Sequence, residues 1–158
     1  MAAPKSIVAA AGRWSGQSRL NLPWLPEEQQ VSESESTLVL AVDANATYAT
    51  FDYTWIYEEK AQNGHGLIAG NDESGVVTCG WSDSWHQNGG VLALTGEGFE
   101  SGPVKVQASY ASDENGDWRW RIELELTGPD SLALRMTNIH PDDQEDWAVE
   151  AIYTRDSS

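Results

Sequence analysis

Polar and apolar positions alternate with a period of two along most of this chain. From Thr47 to Glu58 one face reads Ala49, Phe51, Tyr53, Trp55 and Tyr57, while the other carries Tyr48, Thr50, Asp52, Thr54, Ile56 and Glu58. The run Val76 to Trp85 places Val77, Cys79, Trp81, Asp83 and Trp85 together. Val104, Val106, Ala108 and Tyr110 share a face, as do Trp118, Trp120, Ile122, Leu124 and Leu126. The last run groups Trp147, Val149, Ala151, Tyr153 and Arg155. A two-residue period puts successive side chains on opposite faces of a strand. Turn signals separate the runs: Asp43-Ala44-Asn45, Asn63-Gly64, Asn71 to Gly75, Asn88-Gly89-Gly90, Gly102-Pro103, Asn115-Gly116, Gly128-Pro129-Asp130 and Pro141-Asp142-Asp143. The pattern predicts about ten strands, over 12–20, 31–42, 46–58, 65–70, 75–85, 90–97, 103–111, 117–126, 131–139 and 146–155. Pro23 and Pro26 make 21–30 a loop or capping turn.

Strands in sequence order with short turns make an up-and-down meander. Left open, such a sheet exposes two edges; closure into a barrel removes them. The expected fold is therefore all-β, a single up-and-down antiparallel barrel, and eight to ten strands can enclose a ligand. The inward set contains Tyr53, Tyr57, Asp83, Tyr110, Asn138 and His140. An unpaired buried polar group costs about 1–3 kcal/mol, so a face meant only for packing avoids them. Either they line a pocket, or they lie near the barrel mouth in water and satisfy one another. The expected pocket wall is Tyr53, Trp55, Trp81, Asp83, Tyr110, Trp120, Asn138 and His140. Arg121 and Arg135 fall on the outward face unless a one-residue bulge reverses them.

Composition changes the picture at the exterior. The 158 residues include 25 acidic and 9 basic side chains, a formal charge of −16. Such a surface repels nucleic acids and anionic membranes, so neither is an expected partner. No apolar run approaches the roughly 20 residues of a membrane helix. Lys5 followed by Ile7 to Ala11 is too short for a secretory signal, which points to the cytoplasm. Cys79 is the lone cysteine, so no internal disulfide forms. The length fits one barrel domain over 11–156 behind a tail of residues 1–10.

The candidate chemistry is sparse. Asp83 shares a face with Trp81 and Trp85, and a carboxylate among indoles suits acid–base work. The alternative is a strand-end residue capping the next hairpin. His86, three residues on, and His140 are its candidate partners, so a catalytic set is Asp83, His86 and His140. There is no Gly-x-Ser-x-Gly, and no histidine lies near Cys79 in sequence. His65, His86 and His140 lack metal-ligand spacing, and no metal is expected. Asp113, Asn115 and Asp117 mimic the opening of a calcium loop, but Trp118 stands where that loop needs Gly. Trp24 between its two prolines is either a lid over the open end or a plug over the core.

Gly12-Arg13-Trp14-Ser15-Gly16 opens the first strand and Ala151-Ile152-Tyr153-Thr154-Arg155 closes the last. This pairing resembles the calycin barrels: lipocalins, avidins and fatty-acid-binding proteins. The resemblance implies that Trp14 plugs the closed end with Arg155 over its ring, both structural residues. With Trp81-Ser82-Asp83-Ser84-Trp85 in mid-chain, the sequence resembles a bacterial calycin-like domain of unknown function, number fifteen seventy-nine. The nitrobindins share the Gly-x-Trp-x-Gly opening and hold haem through a histidine on the last strand. Here Trp147 to Arg155 contains none, so haem would require His140 or His86, and no cofactor is expected. The favoured function is binding of a small, mostly apolar or aromatic molecule in the barrel, as carrier or sensor. The alternatives are a cofactor-free isomerase, cyclase or lyase in the same cavity, and a filled barrel that only supports interactions. Monomer and homodimer are both compatible with the sequence.

Overall fold

The computed structural model describes residues 1–87 and 89–157. Ten antiparallel strands form one closed barrel: β1 (Gly12–Asn21), β2 (Val31–Val42), β3 (Tyr48–Tyr57), β4 (Lys60–Gly70), β5 (Val77–Asp83), β6 (Leu92–Glu97), β7 (Val104–Asp113), β8 (Gly116–Gly128), β9 (Ser131–Ile139) and β10 (Glu145–Arg155). Each strand pairs with the next, and β10 returns to β1 through Trp14↔Arg155 to Leu20↔Val149. No sheet edge is left unpaired. No helix among the described residues is long and apolar enough to cross a membrane.

The inward faces follow the two-residue period. Ala49, Phe51, Tyr53 and Trp55 of β3 are buried, and so are Val77, Cys79, Trp81 and Asp83 of β5. Arg121 and Arg135 lie outside, where Arg121 pairs with Glu145 and Arg135 with Glu125. Two departures from the expected pattern stand out. The expected turn at Asn63-Gly64 is instead inside β4, and the chain reverses at Glu58 and Glu59, with φ of 48° and 62°. Positive φ at both central residues is what a twisted two-residue hairpin requires, here met without glycine. Gly64 and Gly66 serve packing: a Cβ there would sit 2.1 Å from the Tyr53 ring and 2.0 Å from the Phe51 ring. The second departure is a register shift between Trp147 and Val149, which puts Trp147 on the outside. Trp147 is 37% exposed and lies under the Arg19 guanidinium, 5.2 Å from the ring centroid.

One end of the barrel is closed by the N-terminal residues. The first ten, expected as a tail, contain a short helix, α1 (Lys5–Ala9), that buries Ile7 with Ala3 and Ala10. The Trp14 indole donates to the Ala10 carbonyl at 2.9 Å. The Arg155 guanidinium sits 4.3 Å from the Trp14 ring centroid and donates to the carbonyl of Ala11. At the other end run the connections β1–β2, β3–β4, β5–β6, β7–β8 and β9–β10. The polar and aromatic residues of interest gather there.

Candidate functional site

Asp83 ends β5 at the open end and is almost fully buried. Its Oδ1 accepts from the backbone N–H groups of Trp85 and His86, both at 2.8 Å. The carboxylate therefore caps the turn that follows, as an Asp does at a strand end. The same Oδ1 faces His86 Nδ1 at 3.3 Å, while Oδ2 accepts from the Tyr53 hydroxyl at 2.5 Å. The Trp81 indole donates to Tyr53 Oη at 3.0 Å, completing a buried relay from Trp81 through Tyr53 to Asp83. Burial pushes the Asp83 carboxyl upward, but hydrogen bonding and charge from His86, with the Tyr53 hydrogen bond, hold it below the usual carboxylate range. Burial, and then the charge of Asp83, push the Tyr53 phenol well above its ordinary value. Capping and membership of the aromatic site turn out to be compatible roles for Asp83.

The His86 imidazole sits among four indoles. Ring centroids lie 4.7 Å from Trp85, 5.4 Å from Trp55 and from Trp120, and 6.5 Å from Trp81. Trp81 and Trp120 stack at 5.8 Å with an interplanar angle of 12°. With Nδ1 turned to a carboxylate, the neutral tautomer that fits this contact has its proton on Nδ1 and its lone pair on Nε2. His86 Nε2, Trp55 Nε1 and Trp120 Nε1 are buried and have no hydrogen-bond partner among the described residues.

Two hollows meet at His86. An outer cleft of about 180 Å³ is lined by Trp81, Trp85, His86, Gln87, Tyr110 and Trp120. An inner void of about 10 Å³ has Tyr53, Trp55, His86 and Tyr153 among its walls. The inner void holds about one water molecule. Below it the barrel is filled by side chains such as Leu38, Leu134 and Met136.

Of the expected wall, Tyr53, Trp55, Trp81, Asp83 and Trp120 converge on this site. Tyr110 reaches its rim: a register shift between Ser109 and Ala111 leaves it 44% exposed, with its hydroxyl donating to Asn138 Oδ1 at 2.7 Å. Asn138 lines neither hollow. His140 is elsewhere, packed against Trp118 with ring centroids 4.6 Å apart and planes tilted by 44°, and with Nε2 2.6 Å from Asp146 Oδ2. It makes no contact with Asp83, because the β9–β10 turn holds it beside the β7–β8 hairpin. Trp24 is 69% exposed, and Leu22 and Leu25 occupy the plug position below it. Cys79 is buried, and burial pushes its thiol up to about 12, so it offers no nucleophile. Trp85 and Gln87 complete the cleft. Alternation groups Trp85 with Trp81 and Asp83, but it lies past the end of β5 and is not in the expected wall, and Gln87 carries no pattern signal.

No family model matches this chain, and neither does any curated protein. Among solved structures, the chain is similar to the crystal structure of Rv2717c from M. tuberculosis, at 12% identity and a TM-score of 0.63, over 98% of this chain and 99% of that one. It is also similar to a redesigned β-barrel, at 10% identity and a TM-score of 0.50, over 99% of this chain and 100% of that one. At such identities the likeness is one of fold: a closed antiparallel barrel.

Proposed function

We propose that this barrel binds a small, flat, mostly apolar molecule at its open end, in the manner of a calycin-like carrier or sensor. The observation that carries the reading is the pair of buried indole N–H groups, on Trp55 and Trp120, that have no acceptor among the described residues in a site walled by aromatic faces. An indole N–H is a donor only, and burying it unpaired costs about 1–3 kcal/mol. A ligand with hydrogen-bond acceptors recovers that cost while its flat face stacks on Trp81, Trp85 or Trp120. The acidic exterior disfavours nucleic acid and anionic membranes, and the binding unit is a monomer or homodimer in the cytoplasm. No step of this reading requires a bound cofactor.

Titration with N-phenyl-1-naphthylamine, a neutral aromatic fluorophore, tests the proposal. Saturable binding near one probe per chain is expected, weakened at least tenfold by Trp120→Ala and unchanged by Trp24→Ala. Binding that is absent, or indifferent to Trp120→Ala, would contradict it.

The Asp83–His86 pair supports a second reading. A carboxylate that orients Nδ1 and leaves Nε2 free is the arrangement of a general base. A cofactor-free isomerase, cyclase or lyase is then the activity, and Asp83→Asn should abolish turnover of a bound molecule while leaving its binding intact. A haem reading has weaker support, since β10 carries no histidine and His140 is engaged with Asp146.

A further inference from the structure

Among the described residues, His86 is the one side chain that walls both hollows, and it fills the centre of the aromatic cage. We infer that its imidazole is a built-in plug, and that the ligand is a flat nitrogen heterocycle that takes the imidazole's place between the indoles. The inference rests on the binding function proposed above and names the ligand class.

Four features lead to it. The outer cleft, at about 180 Å³, is smaller than the roughly 300–1,000 Å³ of ordinary small-molecule sites, and the side chain it shares with the inner void is His86. The plug is weakly tied. Its Nε2 has no partner among the described residues, and its Nδ1 contact with Asp83 is long at 3.3 Å. The carboxylate has other partners besides that contact. Asp83 keeps the Trp85 and His86 backbone N–H groups and the Tyr53 hydroxyl when the ring leaves. Finally, the polar groups bordering the vacated space specify the replacement. Asp83 Oδ1 offers an acceptor to a ring N–H, and the Trp55 and Trp120 indoles offer donors to ring nitrogens or carbonyl oxygens. A heterocycle bearing one N–H and two acceptor atoms satisfies all three, and an imidazole-type ring supplies the N–H and one of the two acceptors. A plain hydrocarbon satisfies none.

Benzimidazole is the probe. Its affinity is measured by calorimetry for the wild type, His86→Ala and His86→Phe, alongside N-phenyl-1-naphthylamine. With the plug gone, His86→Ala is expected to bind benzimidazole at least tenfold more tightly than the wild type. His86→Phe, which refills the cage, is expected to bind no more tightly than the wild type. If His86→Ala binds benzimidazole equally or more weakly, His86 is a contact and not a plug, and the inference is overturned although the naphthylamine site stands. If neither probe binds any of the three proteins, the binding function itself fails. The His86 ring proton resonances provide a readout that needs no variant. Stacked among indoles they lie at ring-current-shifted positions, and benzimidazole is expected to move them toward free-histidine values. Ring signals that stay put while benzimidazole saturates the wild type also overturn the inference.

Discussion

At the residue scale, Asp83 organises the open end. It joins a turn, a tyrosine and a histidine through hydrogen bonds that only an acceptor at this position provides. Asp83→Ala leaves the Tyr53 hydroxyl and two backbone N–H groups unpaired in a buried setting. It should lower unfolding free energy by about 3 kcal/mol, measured by urea titration. The pH dependence has a definite sign. The folded carboxyl titrates below its ordinary value of 3.8. Its stabilisation is therefore complete above that value and is lost as pH falls through the lower, folded value. Asp83→Asn should remove the part of acid destabilisation that develops below about pH 4 and leave the rest of the profile intact. The role of Asp83 was only half legible in sequence. Alternation placed it inward beside Trp81, but it does not tell a residue at a strand's last position from one deep in the barrel.

At the element scale, the strands were readable because each buries one face and wets the other, so a shift of one residue would invert both. Alternation failed where the ladder is irregular. The shifts at Ser109/Ala111 and Trp147/Val149 move Tyr110 toward the rim and Trp147 to the outside, and no local residue type marks either. The β3–β4 turn was missed because Asn63-Gly64 has the composition of a turn while Gly64 serves as a recess for Tyr53. That recess makes a prediction. Gly64→Ala drives a Cβ into the Tyr53 ring and should destabilise by about 1–3 kcal/mol in thermal melts. Gly80→Ala, on the outer face of β5, meets no atom closer than 4.0 Å and should change stability by less than about 0.5 kcal/mol. Gln87, which no pattern selects, and Trp85, which alternation groups with Trp81 but the expected wall omits, belong to the β5–β6 connection. Loops lack a period from which to read direction.

At the scale of the whole molecule, charge and aromatic content occupy different surfaces. The excess acid lies outside and in turns, where seven of the nine basic residues (Lys5, Arg19, Lys105, Arg119, Arg121, Arg135 and Arg155) offset it in pairs such as Arg119–Asp143 and Arg135–Glu125. The remaining −16 repels itself. Raising salt from about 0.01 M to 0.5 M shortens the screening length well below the size of the barrel. The melting temperature should therefore rise, and a fall would mean that the ion pairs outweigh the net repulsion. Of the eight Trp, four (Trp55, Trp81, Trp85 and Trp120) surround His86. Trp14 braces the closed end, while Trp24, Trp118 and Trp147 lie away from the cleft. That division allows a direct test of the binding function. Indole N–H resonances are followed by two-dimensional ¹H–¹⁵N NMR as N-phenyl-1-naphthylamine is added. The account predicts saturable shifts of the Trp55, Trp81, Trp85 and Trp120 signals, with those of Trp14, Trp24, Trp118 and Trp147 unmoved. Shifts confined to Trp24 or Trp147, or no shifts at all, would contradict it.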